Sequence, residues 1–457
     1  RRATPGFFML RLRLPNGILS SEQISGIGEL VNDYGRGQAD ITTRQNIQLR
    51  WITIADAPRI LQRLYALGLT AQQSGMDNVR NIVGCPLAGL DPREVIDARP
   101  LAHRLQQAII GDKTFSNLPR KFNLSISGCR DDCAHAQTHD LAFTPAQRDR
   151  TIGFNVVVGG ALGGREPALG VPLNTFVSPD RVVDLALAIL TVFRDQGPRE
   201  SRKRARLKVL IAERGVAAFR DAVEQEFGSP LQPAGKTLVE RPAGEHLGVL
   251  AQRLDGHSVV GLLVPVGRIS GDDLIELGRL ARVYGQAELR LTVQQNVLLP
   301  HVPSDRVPAL LREPLLQRLS PDPSPWLRGL VACTGSDYCH FSLIDTKSEA
   351  LALSEALDAR YTLEQPVRLH WSGCPHACGQ HKIADVGFEG ARVRTADGIV
   401  SAASLSSGGR LGANATLAED RLPKQPIVDL PEQVAAEIAR LFGPQAIRPR
   451  LAPDASL

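Results

Sequence analysis

The feature that most constrains the fold of this chain is an internal repeat. Residues 41–50 read ITTRQNIQLR, and residues 291–300 read LTVQQNVLLP. The offset that aligns Asn46 with Asn296 also aligns Tyr34 with Tyr284, and each copy follows an apolar, strand-like run and a helix-like stretch. Self-similarity that keeps its order over such a length indicates a duplicated module.

The repeat continues downstream at slightly smaller offsets. NIVGCPLAG (81–89) parallels GLVACTGSD (329–337), and KFNLSISGCRDDC (121–133) parallels VRLHWSGCPHAC (367–378). Each half therefore reads as a small α+β unit followed by a larger one, separated from the other half by a segment rich in Pro and Gly. We predict domains at 1–70, 75–228, 249–315 and 320–443, a linker at 229–248 and a loose tail at 444–457.

The bulk composition is that of a soluble globular protein. The chain has 457 residues, of which 43% are apolar and 22% charged, and this length predicts two to four domains. No apolar run is long enough to span a bilayer. A net charge of +5 spread over such a length does not indicate nucleic-acid binding and fits acidic partners or small anions.

Four of the seven cysteines lie in the second half with an unusual spacing. Five residues separate Cys333 from Cys339, and three separate Cys374 from Cys378, which puts the second pair on one helical face. Zinc ligands are usually closer, about two to four residues apart. The wider gap favours a cubane iron–sulfur cluster, which needs four thiolates around a bulky core. A zinc site and a pair of structural disulfides are the alternatives.

The first half serves as a control for this interpretation. It keeps Cys85, Cys129 and Cys133, but the position that matches Cys339 is Asp91. Three thiols and a carboxylate make a poor cubane site. We therefore expect one working cluster in the second half and a relic in the first, where the three cysteines are buried or spare thiols.

Basic and amide residues recur beside the duplicated motif in TTRQN (42–46), NVRN (78–81) and LPRKFN (118–123). Taken singly, each such side chain is more often a surface group. Together, they predict a receptor for a small oxyanion or for acidic groups of a cofactor. The candidate residues are Arg44, Arg80, Lys121 and Asn123.

These motifs, with DNVRNIVGCPLAGLDP (77–92), ACTGSDYC (332–339) and HWSGCPHACGQ (370–380), resemble the siroheme-dependent nitrite and sulfite reductases, most closely the assimilatory ferredoxin–nitrite reductase branch. The resemblance runs from near residue 7 to about residue 440. It implies an α+β, internally duplicated fold with a pseudo-two-fold axis, two small ferredoxin-like half-domains and two larger α/β domains.

The resemblance also implies the cofactors and their ligands. Siroheme would bind between the halves, and a [4Fe–4S] cluster would be held by Cys333, Cys339, Cys374 and Cys378, with the Cys378 sulfur also ligating the siroheme iron. Arg44, Arg80, Lys121 and Asn123 fall on the substrate-pocket positions of the family. The remaining cofactor-binding candidates are Thr43, Gln45, Asn46, Gln48, Arg50, Asn81, Arg120, Gln295 and Asn296.

The choice of substrate depends on Asn123. The sulfite-reducing branch of the family usually has a lysine at this position. Nitrite is a monoanion, whereas sulfite carries up to two negative charges near neutral pH, so an amide in place of a lysine favours nitrite. The expected reaction is the six-electron reduction of nitrite to ammonium.

The expected electron donor is an acidic ferredoxin. The chain has no G-x-G-x-x-G motif after a strand and no room for flavin and nicotinamide domains. A mildly basic surface would suit a small acidic protein. We expect a monomer in a bacterial cytoplasm, with no membrane insertion. Because the chain begins at Arg1 rather than Met, a targeting segment ahead of it stays open.

Three rival functions remain at this point. The first is an assimilatory sulfite reductase on the same scaffold. The second is the related iron–sulfur oxygenase of cobalamin biosynthesis, which the intact TTRQN, NVRN and PRKFN motifs disfavour. The third is a non-enzymatic iron–sulfur or zinc scaffold, which leaves the basic residues unexplained.

Overall fold

The computed structural model describes residues 4–164, 166–242, 244–396 and 398–450. It is a mixed α and β fold, and the repeat of the sequence reappears as two pairs of units, each a small unit followed by a larger one. Within these ranges, no helix is long and apolar enough to cross a membrane.

The first small unit opens with a strand and carries a hairpin that presents the TTRQN motif. Its elements are β1 (Phe8–Arg11), β2 (Ile18–Ser20), α1 (Ser21–Tyr34), β3 (Gln38–Ile41), β4 (Ile47–Ile52) and α2 (Ala57–Ala66). Helix α1 begins where it does because a capping box precedes it. The Ser20 hydroxyl accepts from the Gln23 amide, and the Gln23 side chain accepts from the Ser20 amide.

The first large unit is a sheet covered by helices. Its elements are β5 (Val79–Val83), α3 (Arg99–Ile109), β6 (Phe122–Ile126), β7 (Asp131–Asp132), β8 (Leu141–Arg148), β9 (Thr151–Val158), β10 (Val171–Val177), α4 (Val182–Gln196), α5 (Leu207–Arg214), α6 (Val216–Phe227), β11 (Gln232–Pro233), β12 (Lys236–Thr237) and β13 (Arg241–Pro242). The sheet order is β11-β10-β9-β8-β6-β5, and β12 also pairs with β8. Strands β5 and β6 are parallel, so the loops that follow them leave the same edge.

The second small unit repeats the first. Its elements are β14 (Gly248–Ala251), β15 (His257–Leu262), β16 (Arg268–Ser270), α7 (Gly271–Tyr284), β17 (Glu288–Leu291), β18 (Val297–Pro303), α8 (Val307–Leu310) and α9 (Leu315–Arg318). Helix α7 has a Ser270 cap where α1 has Ser20. The turns that join β3 to β4 and β17 to β18 carry matching backbone hydrogen bonds, Thr42 N to Asn46 O and Thr292 N to Asn296 O, both 2.9 Å.

The two small units interlock. Strand β2 leaves the first unit and pairs with β17 of the second, while β16 of the second pairs with β3 of the first. Helices α1 and α7 pack against each other, and the apolar residues of both units form one buried core. The sequence predicts the duplication but not this exchange, because pairing between strands so far apart in the chain leaves no periodic pattern.

The second large unit contains α10 (Pro325–Arg328), β19 (Leu330–Ala332), α11 (Thr346–Arg360), β20 (Tyr361–Leu363), β21 (Leu369–Ser372), β22 (Val386–Thr395), β23 (Gly398–Ser407), β24 (Glu419–Pro426), α12 (Pro431–Phe442) and β25 (Ile447–Pro449). The main sheet has the order β19-β21-β22-β23-β24. Strands β19 and β21 are parallel, as β5 and β6 are in the first half. The loops after β19 and β21 therefore also share one edge of a sheet.

The predicted linker and tail are more ordered than the sequence suggests. Within 229–248, strands β11, β12 and β13 pair with β10, β8 and β7 of the first large unit. Strand β25 pairs with β20, so residues 447–449 belong to the fold and the prediction of a loose tail is wrong for them. Residues 451–457 of that predicted tail lie outside the described residues. A Pro- and Gly-rich composition does not exclude short edge pairings.

Candidate active site

A cavity of about 480 Å³ collects thiols and cations from separate parts of the chain. Its volume is that of a typical site for a small molecule or cofactor. One part of the wall is formed by the loops after β19 and β21, and another by the hairpin of the first small unit. The lining residues that matter here are Cys333, Cys339, Cys374, Cys378, Arg11, Arg44, Arg50, Lys121 and Lys347.

The four thiols are positioned by a sheet edge and by tight loops. Cys333 follows β19 and donates its amide to the Trp371 carbonyl at 3.0 Å, and the Gly373 amide points at the Cys333 sulfur at 3.2 Å. A side chain at Gly373 would overlap the Ser342 hydroxyl, so the loop that carries Cys374 needs a glycine there. Cys378 is the exposed member of the set, and its carbonyl accepts from the Thr43 hydroxyl at 3.2 Å.

The spacing of these sulfurs distinguishes between the metal-site alternatives. All four cysteines are free, so the structure contains no disulfide among them. In the described part of the chain, no three of the four sulfurs lie within 4.8 Å of one another. Thiolates on one zinc ion, with bonds of about 2.3 Å, would be closer than that. Four thiols that face one cavity at wider spacing fit a larger cluster.

Two of the thiols, those of Cys333 and Cys374, disfavour ionisation unless a cation joins them. Burial, followed by the nearby Cys378, raises the pKa of Cys333, and the same two causes act on Cys374, whose pKa rises to about 12. A metal cluster reverses this effect because its positive charge holds the sulfurs as thiolates. The donor set therefore fits a [4Fe–4S] cluster in its chemistry and in its spacing.

The cations of the cavity crowd one another; Arg50 and Lys347 are buried, and Arg11, Arg44 and Lys121 are half-buried. Burial lowers the pKa of Arg11 and of Arg44, and neighbouring arginines lower both further. Burial, Arg44 and Arg206 lower the pKa of Lys121 to about 7. Uncompensated cations that converge on one space are a receptor for anions, because a bound anion removes the repulsion between them.

One buried carboxylate organises part of this cluster. Asp40 contacts Arg50 at 3.0 Å, Lys347 at 3.1 Å and Arg268 at 3.5 Å. Although burial alone would raise the pKa of Asp40, Lys347 and the two arginines lower it to about 2. Asp40 is therefore ionised and fixes the side chains of Arg50 and Lys347, while the two cations together exceed its charge.

Asn123 lies inside the cationic group and holds one member of it. Its side-chain oxygen accepts from Arg44 Nε at 3.2 Å, and its backbone amide donates to Asp140 at 2.7 Å. Asp140 in turn forms a buried ion pair with Arg206 at 2.7 Å. Asn123, Arg44, Lys121 and Arg206 line a small second pocket that shares Thr43 and Cys378 with the main cavity.

The comparisons with known proteins agree with this geometry. The model for the nitrite and sulphite reductase 4Fe-4S domain matches residues 75–231 and 325–443. The model for the nitrite/sulfite reductase ferredoxin-like half domain matches residues 1–67 and 251–316. The chain belongs to the nitrite and sulfite reductase family.

Curated relatives and solved structures extend this match over nearly the whole chain. The ferredoxin–nitrite reductase of Synechococcus elongatus is 48% identical over 98% of this chain and 88% of that protein. The chloroplastic ferredoxin–nitrite reductase of Zea mays is 45% identical over 97% of this chain and 80% of that protein. The structure of the Mycobacterium tuberculosis NirA protein superimposes with a TM-score of 0.87 at 30% identity and covers 95% of this chain and 80% of that one.

Several of the residues assigned from the family resemblance act on backbone groups. Gln45 binds the Leu291 carbonyl and the Gly84 amide, and Gln295 binds the Ile41 and Ala332 carbonyls and the Ala332 amide, all at 2.9–3.0 Å. Asn81 donates to the Leu14 and Arg44 carbonyls at 2.7 and 2.8 Å. The side chains of Asn46 and Asn296 accept from Thr42 and from the Val264 amide.

The remaining predicted residues divide into two groups. Thr43, Gln48, Arg50 and Gln295 line the main cavity. Arg80 and Arg120 line neither pocket. Arg80 donates to the Ser74 and Met76 carbonyls, although its Nε has no partner within the described ranges, and Arg120 forms an ion pair with Asp77 at 3.2 Å.

Sequence reasoning missed several residues of the site. Arg11 and Lys347 line the cavity and supply two of its cations. Arg206 lies in the basic run RESRKRARLK (199–208), yet it is buried against Asp140, whereas Arg202 and Arg204 are exposed. His376, between two cluster cysteines, lines both pockets. Among these missed residues, only His376 had a signal in the sequence, because it is the histidine of the CPHAC motif.

Proposed function

We propose that this protein is a ferredoxin-dependent nitrite reductase that reduces nitrite to ammonium by six electrons. The observation that carries the proposal is that one cavity gathers four free thiols and a group of buried and half-buried cations. A cavity of this chemistry suits a redox centre coupled to an anionic substrate. The relatives named as ferredoxin–nitrite reductases support the same conclusion.

In this proposal, the thiols of Cys333, Cys339, Cys374 and Cys378 would hold a [4Fe–4S] cluster, and Cys378 would also serve as a ligand of the siroheme iron. Arg11, Arg50 and Lys347 compensate acidic groups of siroheme, since these cations line the cavity in excess of Asp40. When bound, the two cofactors supply the single-electron steps that no side chain can perform.

The substrate side consists of Arg44 and Lys121, which line both the main cavity and the small second pocket, and of Asn123, which lines the second pocket. Arg44 is oriented by Asn123, and it attracts the anion. Lys121 has its pKa near 7, so its Nζ can release and regain a proton near neutral pH. Arg80 contributes positive charge beside Arg11 and Arg44 rather than direct contact with the substrate, since it lines neither pocket.

Gln45, Asn46, Asn81 and Asn296 have a supporting role in this proposal. Their side-chain amides hold the two hairpin turns and the strands beside them through backbone groups. Asn81 donates to the Arg44 carbonyl, and Asn46 accepts from Thr42 in the turn that carries Arg44, so these two residues fix the position of Arg44. Arg120 has a similar indirect role, since it is tied to Asp77 at 3.2 Å.

Nitrite is favoured over sulfite because residue 123 is an uncharged amide. Asn123 accepts a hydrogen bond from Arg44 and adds no positive charge to the pocket. A lysine in this place would add a fourth cation beside Arg44, Lys121 and Arg206, which would suit a dianion. Sulfite reduction is the second candidate, because the two matched family models cover both nitrite and sulfite reductases.

The proposal extends to the partner and the location. An acidic ferredoxin is the donor, supported by the net charge of +5 and by the relatives named for this donor. The protein acts as a monomer in a bacterial cytoplasm. Seven free cysteines support a reducing compartment, where thiols stay reduced.

The test is anaerobic turnover of the holoenzyme with a reduced viologen dye, scoring ammonium from nitrite and sulfide from sulfite in parallel. We expect kcat/KM for nitrite to exceed that for sulfite by about 10²-fold or more. Preferential sulfide formation would transfer the assignment to sulfite reduction. If protein that contains both cofactors forms neither ammonium nor sulfide, the proposal of anion reduction is overturned.

A further inference from the structure

The three cysteines of the first half converge on one point. The sulfurs of Cys85, Cys129 and Cys133 all lie within 4.8 Å of one another, and those of Cys129 and Cys133 are 3.9 Å apart. Each residue is only 1% exposed. None of the three lines the cavity described above, so their arrangement is independent of the proposed active site.

The spacing fits a single metal ion. Zinc–thiolate bonds of about 2.3 Å in a tetrahedral site put neighbouring sulfurs roughly 3.8 Å apart. The thiolates of a cubane cluster stand on separate irons and are spread more widely. The triad is therefore too compact for a cubane cluster. The four cysteines of the second half, which lie on the equivalent loops of the repeat, are spaced widely enough for one.

The nearest candidate for a fourth ligand is Asp91. Its carboxylate lies 3.4 Å from the Cys129 sulfur, and Asp91 occupies the repeat position of Cys339, but the carboxylate is not within 4.8 Å of all three sulfurs. The Asp131 amide also points at the Cys129 sulfur at 3.5 Å, as backbone amides do around metal-bound thiolates. The Asp91 carboxylate accepts from the Arg93 amide at 2.8 Å, which holds it beside the triad, and a small movement of this side chain would bring it to an ion held by the three sulfurs.

Two arginines of the second small unit bind backbone carbonyls around the triad, and each is also paired with a carboxylate, Arg290 with Glu288 at 2.6 Å and Arg253 with Glu94 at 3.2 Å. Arg290, which is completely buried, donates to the carbonyls of Pro86 and Ala88 within the loop that carries Cys85. Arg253 donates to the Asp91 carbonyl at 3.1 Å. Both arginines come from the second small unit, so the loop of the triad is held by cations from the other half of the chain.

We propose that Cys85, Cys129 and Cys133 bind one zinc ion that fixes the loops after β5 and β6 against the second small unit, with the Asp91 carboxylate turning from the Cys129 sulfur to the fourth position. The apolar neighbours of the triad include Val259 and Leu298, on strands β15 and β18 of that unit. The site is structural, since its three cysteines are each only 1% exposed and a substrate has no access to the ion.

The test is metal analysis of the holoenzyme, purified without chelators, with zinc, iron and siroheme measured on the same sample. We expect about one zinc per chain in addition to the iron of the two cofactors. Cobalt exchanged for zinc should give the intense thiolate-to-cobalt absorption of a tetrahedral sulfur site. This readout needs no variant and does not depend on activity.

Variants locate the ion. Cys129→Ser should reduce zinc by about tenfold or more while the iron and siroheme content stays unchanged. Asp91→Asn should weaken zinc retention against a chromophoric chelator. Asp132→Asn is the matched control, because Asp132 is buried beside the triad but its carboxylate accepts from the Ala136 amide instead of facing a sulfur.

Zinc-free wild-type protein that also fails to take up cobalt would overturn the proposal. If the protein contains no zinc but more iron than the two cofactors account for, the triad binds iron, and the proposal of a zinc site is equally overturned. Loss of nitrite turnover with zinc still bound would count against the proposed function only, so the two failures are distinguishable.

Discussion

At the scale of single residues, Asn123 carries the distinction between substrates. We predict that Asn123→Lys raises the ratio of kcat/KM for sulfite to that for nitrite by about tenfold or more, because it removes the acceptor of Arg44 and adds a cation beside Lys121. The measurement is the parallel turnover assay. Asn117→Lys is the control, because it adds the same charge at an exposed position. An unchanged ratio would show that the substrate is chosen elsewhere.

Lys121 supplies the second prediction at this scale. Its Nζ is charged below its pKa, near 7, and neutral above it, and a bound anion raises that pKa. Nitrite turnover should therefore decline as the pH rises above neutrality. Lys121→Arg should remove this alkaline decline because the guanidinium stays charged. Lys121→Met should lower kcat by about 10²-fold at pH values where the wild-type lysine is charged, and by progressively less at higher pH. If nitrite turnover by Lys121→Arg still declines at alkaline pH, the decline comes from the titration of another group and the prediction is wrong.

At the scale of elements, the two hairpin turns depend on buried glutamines. Gln295→Ala removes three hydrogen bonds to backbone groups of Ile41 and Ala332, which then lack partners in a buried place. We predict that the free energy of unfolding falls by about 2 kcal/mol or more, seen as a lower melting temperature. Gln294→Ala is the matched control, since Gln294 makes one contact, at 3.4 Å to Gly244. Equal losses in the two variants would contradict this role.

The paired strands explain why both halves place thiols at a sheet edge. In the first half, Cys85 and Cys129 follow the parallel strands β5 and β6, and in the second, Cys333 and Cys374 follow β19 and β21. Duplication thus built two thiol sites from the same loops. One change of ligand, at Asp91, and a closer approach of the sulfurs separate the compact site from the wide one.

At the scale of the whole molecule, the exchange of strands makes each half dependent on the other. We predict that residues 1–240 expressed alone aggregate, because β2 and β3 lose their partners β17 and β16. Co-expression with residues 241–457 should restore soluble, siroheme-containing protein, measured by gel filtration and visible absorption. A first half that is folded and monomeric by itself would show that the shared core is dispensable.

The net charge of the molecule leads to a prediction about the donor. If an acidic ferredoxin docks on a chain of net charge +5, raising the ionic strength from about 0.05 to 0.3 M should increase the KM for ferredoxin several-fold. Turnover with a viologen dye should change little, which separates docking from chemistry. A KM for ferredoxin that does not respond to salt would argue for apolar docking.

The sequence predicted a large part of the fold and of the site. The repeat identified the duplicated α+β architecture, and the spacing of Cys333, Cys339, Cys374 and Cys378 identified a set that the structure brings to one cavity. Arg44, Lys121 and Asn123 also meet in space as expected. Arg80 does not line the site, and the role of each of these residues remains a prediction.

By itself, the sequence determined the elements and the order in which they repeat, because periodic apolar patterns and the short loops that carry cysteines are local. Apart from the cysteines and basic residues that the motifs grouped, only the tertiary structure decided which distant groups meet. The exchange of β2 and β16, the burial of Arg206 against Asp140 and the convergence of Cys85, Cys129 and Cys133 each join segments far apart in the chain. Such contacts are selected by packing and charge compensation in the folded core, and local sequence patterns carry no record of them.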